Sequence, residues 1–125
     1  MNVSRSFLVV GALYLIVGLL FGMYMGGSGD HSLKSVHAHI NLLGFTLMTL
    51  FGLTYRMIPA LAEGWMGRAH FWLYQAGALV LLVGLWLMFT GRLSEATVGP
   101  VMPVAEGAVL IGTAIFALNL WRRAG

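Results

Sequence analysis

Cysteine is absent from the 125 residues, which removes disulfides, thiolate metal sites and cysteine nucleophiles from consideration. Charge is scarce: Asp, Glu, Lys and Arg together make up 9% of the chain, against about a quarter in a soluble globular domain. Seven Lys and Arg against four Asp and Glu give a formal charge of +3. No basic run exists, however, and most of the cations sit at the ends of apolar blocks, so nothing indicates a nucleic-acid surface. Also missing are a glycine-rich phosphate loop after a strand, a serine or threonine set beside a base, and two carboxylates close in the chain. No short alternating segments of a membrane β-barrel are visible, nor any repeat of solenoid period or low-complexity linker.

What is present is apolar sequence. Hydrophobic residues make up 59% of the chain and come in blocks of roughly 18 or more, the length a helix needs to cross the hydrocarbon layer. A chain of this size is one domain. The pattern predicts an all-α, integral membrane four-helix bundle over residues 1–125, with helices at about 6–25, 32–59, 69–90 and 103–121. The block Phe7–Met25 follows a short segment with Arg5, as a secretory signal would. It is longer than a signal core and no small-x-small site follows cleanly, so it reads as a retained first span. Gly26-Gly27-Ser28-Gly29-Asp30 breaks that span. Glu63, Gly64, Gly67 and Arg68 mark the second connection, and Gly91-Arg92 to Gly99-Pro100 the third. The second span is longer than a crossing requires and absorbs the excess by tilting.

Basic residues near the span ends set orientation. Arg5, Arg56, Arg68, Arg122 and Arg123 fall on one side, and only Lys34 and Arg92 on the other. Both termini are therefore expected in the cytoplasm, with the first and third connections outside, in a bacterial inner membrane the periplasmic side. Gly18, Gly22 and Gly26 recur every four residues, and Gly77, Gly84 and Gly91 every seven. Such rows let a neighbouring backbone approach closely, either in ordinary helix packing or in self-association.

Ionisable side chains inside a membrane are costly, and each is a functional signal. The second span carries Ser35-Val36-His37-Ala38-His39-Ile40-Asn41 in its outer third, and the fourth carries Glu106 near its outer end. Helix rise places His37, His39 and Glu106 roughly 5–12 Å below the outer surface. Residues two apart differ by about 200° around a helix, so the two histidines face opposite ways and do not readily share one metal ion. His37 lies in a small, polar stripe with Asn41, Gly44, Met48, Gly52 and Tyr55, suited to the interior or to a flat ligand. His39 lies in a more apolar stripe with Leu43, Thr46, Leu50 and Leu53 and faces a partner subunit, a ligand or the next helix. Met23, Met25 and Met102 belong to the same outer layer, with His31 just outside. Imidazole and thioether are ligands to haem iron and to copper, and an enclosed Glu106 would accept a hydrogen bond from an imidazole N–H and fix its tautomer. The alternative is a self-satisfied polar cluster that only holds helices together. His70 opens the third span on the opposite face, on the order of 25 Å from His39 by helix rise. Beside Arg68 and Trp72 it reads as a residue of the interfacial aromatic belt, with Trp65 and Trp121.

The segment Val36-His37-Ala38-His39-Ile40-Asn41-Leu42-Leu43-Gly44, continuing to Tyr55-Arg56-Met57-Ile58-Pro59, resembles the haem-binding helices of the catalytic subunit of the haem-copper oxidases, especially the branch of nitric oxide reductases and C-type cytochrome oxidases. In that family a histidine of the second helix ligates the low-spin haem, and a His-x-His pair on a later helix serves two haems from its two faces. The resemblance implies His37 and His39 as haem-iron ligands. It does not extend to oxygen or nitric oxide reduction, because the family's larger bundle and second-metal histidines have no counterpart here. The expectation is a haem b protein near the outer face, for electron transfer or diatomic gas binding, enclosed by a homo-oligomer with two-fold symmetry. Asn41, Gly44, Glu106, Met23 and Met25 would line the site. A copper-binding or assembly protein using His31, His37, His39 and the methionines is the alternative, and a structural subunit without cofactor the second.

Overall fold

The computed structural model describes all 125 residues, Met1–Gly125. Four helices are long and apolar enough to cross a membrane: α1 (Val3–Ser28), α2 (Lys34–Met57), α3 (Met66–Phe89) and α5 (Met102–Arg123). A single-turn α4 (Glu95–Val98) lies in the connection between α3 and α5, and there is no strand. The chain is an all-α, multi-pass membrane bundle. Large apolar side chains such as Leu13, Ile16, Leu20, Val80 and Leu110 stand exposed on its outside, as lipid contact requires.

Local chemistry sets the ends. The Asn2 side chain accepts the Arg5 N–H and starts α1 earlier than hydropathy alone suggests. Gly29, at φ 72°, closes that helix with its N–H on Met25 O. In the connection that follows, Asp30 accepts the Ser32 N–H at 2.9 Å. That bond holds its carboxyl below the usual carboxylate range. Ile58, extended at φ −125° ahead of Pro59, ends α2. The expected continuation of this span to residue 59 is thereby cut short, and Pro59–Ala62 form a 3-10 turn instead.

Contacts along the seams show that neighbouring helices run antiparallel. On α1, Gly11, Gly18 and Gly22 meet Met48, Asn41 and His37 of α2 in that order. On α3, Gly77 lies against Ala105 and Val109 of α5, Gly84 against Met102, and Tyr74 beside Gly112. A Cβ at Gly77 would stand 2.6 Å from Ala105 O, so the two backbones approach to a distance only glycine permits. The third member of each glycine row does something else: Gly26 has no neighbour within 4 Å, and Gly91 takes φ 71° in the turn after α3. Both termini and the Pro59–Glu63 connection share one end of the bundle, where Arg123 bonds Ala60 O and pairs with Glu63 at 3.8 Å. We call this the terminal end and its opposite the distal end.

One feature of α2 has no signature in the sequence. Ile40–Thr46 is π-helical, and the Leu47 N–H reaches back five residues to Leu42 O. Leu43 O thus loses its α-helical donor and instead accepts the Tyr74 hydroxyl of α3 at 2.9 Å. Such segments are rare and concentrate at functional sites. This one begins one residue after His39.

Candidate functional site

The distal polar cluster is built from α2 against α1. His37 places Nδ1 2.9 Å from Gly18 O. A carbonyl only accepts, so this nitrogen carries the proton, and Nε2 has the lone pair. Asn41 donates its amide N–H to that Nε2 at 3.3 Å. Both ring nitrogens of His37 are therefore engaged inside the α1–α2 seam. Gly22 lies against the ring, 3.2 Å from Cε1 to where a Cβ would be, and Gly18 makes room for the Asn41 carbonyl. Asn41 Oδ1 is buried without a hydrogen-bond partner. The small stripe of His37, Asn41, Gly44, Met48, Gly52 and Tyr55 does face inward, but α1 fills it: Tyr14 covers Gly44, and Leu8 with Ser4 O covers Gly52. No flat ligand lies along it within one chain.

His39 is different. Its Nδ1–H donates to Ser35 O of its own helix at 2.7 Å, which again fixes the tautomer and leaves the Nε2 lone pair unengaged. The ring is half-buried. Its stripe continues through half-buried Leu43 to the exposed Thr46, Leu50 and Leu53. An imidazole anchored through Nδ1 with a free Nε2 is the form in which histidine ligates a metal. His31, exposed in the connection, holds the same form with Nδ1 2.9 Å from Gly29 O.

Shared depth does not bring Glu106 to the histidines. Their Nδ1 atoms bond backbone carbonyls, and Glu106 is exposed on the outside of α5 with no ion pair or hydrogen bond. Ala105 and Gly112, seven residues apart on one stripe, hold the inward face of α5, and Glu106 lies off that stripe. Met23 is 72% exposed whereas Met25 is buried, so the two methionines do not act together. No three His, Asp or Glu side chains converge anywhere in the chain.

His70 is not a residue of the interfacial belt. It is fully buried at the terminal end, its ring centroid 4.5 Å from Phe51, 4.8 Å from Phe7 and 4.9 Å from Phe116. Its Nδ1 bonds the Tyr55 hydroxyl at 3.0 Å, and its Nε2 is buried with no partner. Asn119, also fully buried, donates to Leu61 O at 2.7 Å and leaves Oδ1 unpaired. Here α1, α2, α3 and α5 meet around one imidazole. The face of α3 that carries Tyr74, Gly77 and Leu81 also carries His70, and that spacing is the signal that places it inside. Trp65, Trp72 and Trp121, by contrast, are exposed, as a belt requires. Comparison of the chain with family models, curated proteins and solved structures gave no match.

Proposed function

We propose that the chain is a membrane haem b protein of the electron-transfer kind, with His39 Nε2 as the iron ligand near the distal face. The observation that carries this reading is the His39 ring itself: proton fixed on Nδ1 by Ser35 O, lone pair on Nε2 free, and a half-open apolar strip around it. The resemblance of Val36–Gly44 to haem-binding helices supports the same residue. Haem brings four nitrogen donors of its own and needs one or two from protein. Copper draws on several protein ligands, and no three His, Asp or Glu side chains converge here.

His37 serves this site as a positioning residue, because its bond to Gly18 O holds α2 against α1, with Asn41 of its own helix on the other ring nitrogen, and so fixes the direction in which His39 points. A second copy, packed on the exposed Leu50 and Leu53 strip, would contribute a further ligand and enclose the group. Haem bound between two strong ligands supplies reversible one-electron transfer. The excess of arginine at the terminal end orients that end to the cytoplasm and the distal end to the periplasm of a bacterial inner membrane.

The test is the visible spectrum of the detergent-purified protein, oxidised and dithionite-reduced. Wild type and His37→Ala should both show a Soret band that sharpens on reduction, and His39→Ala should lack it. A colourless wild type after expression with ample haem refutes the proposal. In that case the His37–Asn41–Gly18 seam favours a structural membrane subunit whose histidines fix packing.

A further inference from the structure

In the distal half a groove opens between α1 and α3. Its walls are Phe21 on one side and Leu82 and Val83 on the other, and its floor is Val36 and Ile40 of α2. Phe21 and Trp86 also line a second hollow, which includes Tyr24, Thr90 and Arg92. A wholly apolar slot and a cationic mouth thus adjoin across shared walls.

Arg92 is fixed at that mouth. Its Cζ stands 4.5 Å from the centre of the Trp86 ring, a cation–π contact that holds the guanidinium over the opening. The ion pair of this chain, Arg123 with Glu63, is at the other end of the bundle, and no carboxylate neutralises Arg92. The other polar groups of the mouth are already occupied: the Thr90 hydroxyl donates to Trp86 O at 2.7 Å, and the Tyr24 hydroxyl leans 3.5 Å from Asp30 Oδ2. The guanidinium is therefore the group with unmet bonding capacity, and its planar donors match a phosphate.

We propose that this groove is a binding site for an anionic phospholipid, with an acyl chain along Phe21, Val36 and Ile40 and the phosphate at Arg92. The apolar slot accepts any acyl chain, so the preference resides in the charge. A single basic residue near a membrane surface favours an anionic headgroup by about fivefold. The site uses neither His37 nor His39 and stands whether or not the chain binds haem.

The experiment titrates the full chain in detergent with phosphatidylglycerol or with phosphatidylcholine of the same acyl chains, and counts bound lipid by native mass spectrometry. Wild type should retain phosphatidylglycerol about fivefold better. Arg92→Gln, at an exposed position, should retain both lipids equally, while Arg68→Gln at the terminal end keeps the preference. Val83→Trp, which fills the slot from its rim, should weaken both lipids. Equal retention by wild type, an unchanged preference in Arg92→Gln, or undiminished binding to Val83→Trp overturns the proposal.

Discussion

The bond between Tyr55 and His70 is open to a double-mutant cycle. Each partner alone is replaced by phenylalanine, and then both together. Phenylalanine suits both positions, because the neighbours are already the rings of Phe7, Phe51, Tyr74 and Phe116 at centroid distances of 4.5–6.0 Å. Tyr55→Phe leaves both nitrogens of a fully buried imidazole without a partner, since Nε2 has none to begin with. His70→Phe strands the tyrosine hydroxyl but removes the orphaned Nε2, so it should cost less. A buried group deprived of its partner costs roughly 1–3 kcal/mol, and couplings between transmembrane helices average about 0.6 and reach about 1.7 kcal/mol. The Asn119 amide, the other polar side chain beside Tyr55, already donates to Leu61 O, so the upper part of that range applies. We expect about 1.5 kcal/mol for Tyr55→Phe, about 1 for His70→Phe, and about 1 for the double variant, a coupling of about 1.5 kcal/mol. Unfolding in mixed detergent–dodecyl sulfate micelles, followed by circular dichroism, measures all four proteins. Costs that add within about 0.3 kcal/mol would show that the 3.0 Å contact contributes nothing and that the cage is held by ring packing alone.

The same unfolding assay separates the two distal histidines. His37→Ala breaks the seam bond to Gly18 O and the bond from Asn41, and opens a void against Gly22, for a loss of about 2–3 kcal/mol, whereas His39→Ala loses one bond to its own helix and should cost under about 0.5; equal losses would contradict the seam. Among glycines, Gly77→Ala should cost about 1–3 kcal/mol because its Cβ meets the rigid backbone of α5 at Ala105 O, while Gly107→Ala, with nothing within 4 Å, should be neutral. A neutral Gly77→Ala would mean that α3 and α5 are not in close backbone contact.

Four spans were legible because blocks of apolar residues broken by Gly26–Asp30, Glu63–Arg68 and Gly91–Pro100 have no other economical reading in lipid. The glycine rows marked faces of close approach on α1 and α3 but not the helices that meet them: Gly18 and Gly22 meet α2, and Gly77 and Gly84 meet α5. Three further things were not legible. The π segment Ile40–Thr46 is sustained by a tertiary bond, Tyr74 to Leu43 O, and composition carries no trace of it. The burial of His70 was hidden by its neighbours Arg68 and Trp72, both exposed, although a helix turns by about 200° between residues two apart. The expected meeting of Glu106 with the histidines used depth alone. Depth fixes a layer, but rotation about the helix axis decides whether a side chain points in, and Ala105 and Gly112 hold the inward positions on α5.

The two halves of the bundle divide the work of folding and of recognition. At the terminal end Phe7, Phe51, Tyr55, His70, Phe71 and Tyr74 are buried together, and Asn119 and Arg123 bond the carbonyls of the Pro59–Ala62 turn. Four helices are thus tied to one another and to a connection, which concentrates aromatic contact energy at this end. The distal buried set, by contrast, is Met25, Leu33, Val36, Ile40, Leu81, Leu82 and Ala105, with no aromatic ring among them. There the glycine seam draws α2 toward α1, and the slot between α1 and α3 stays open. A protein anchored at one end can leave the other with an unengaged imidazole at His39 and an unpaired guanidinium at Arg92, both on the distal side and both open to a ligand.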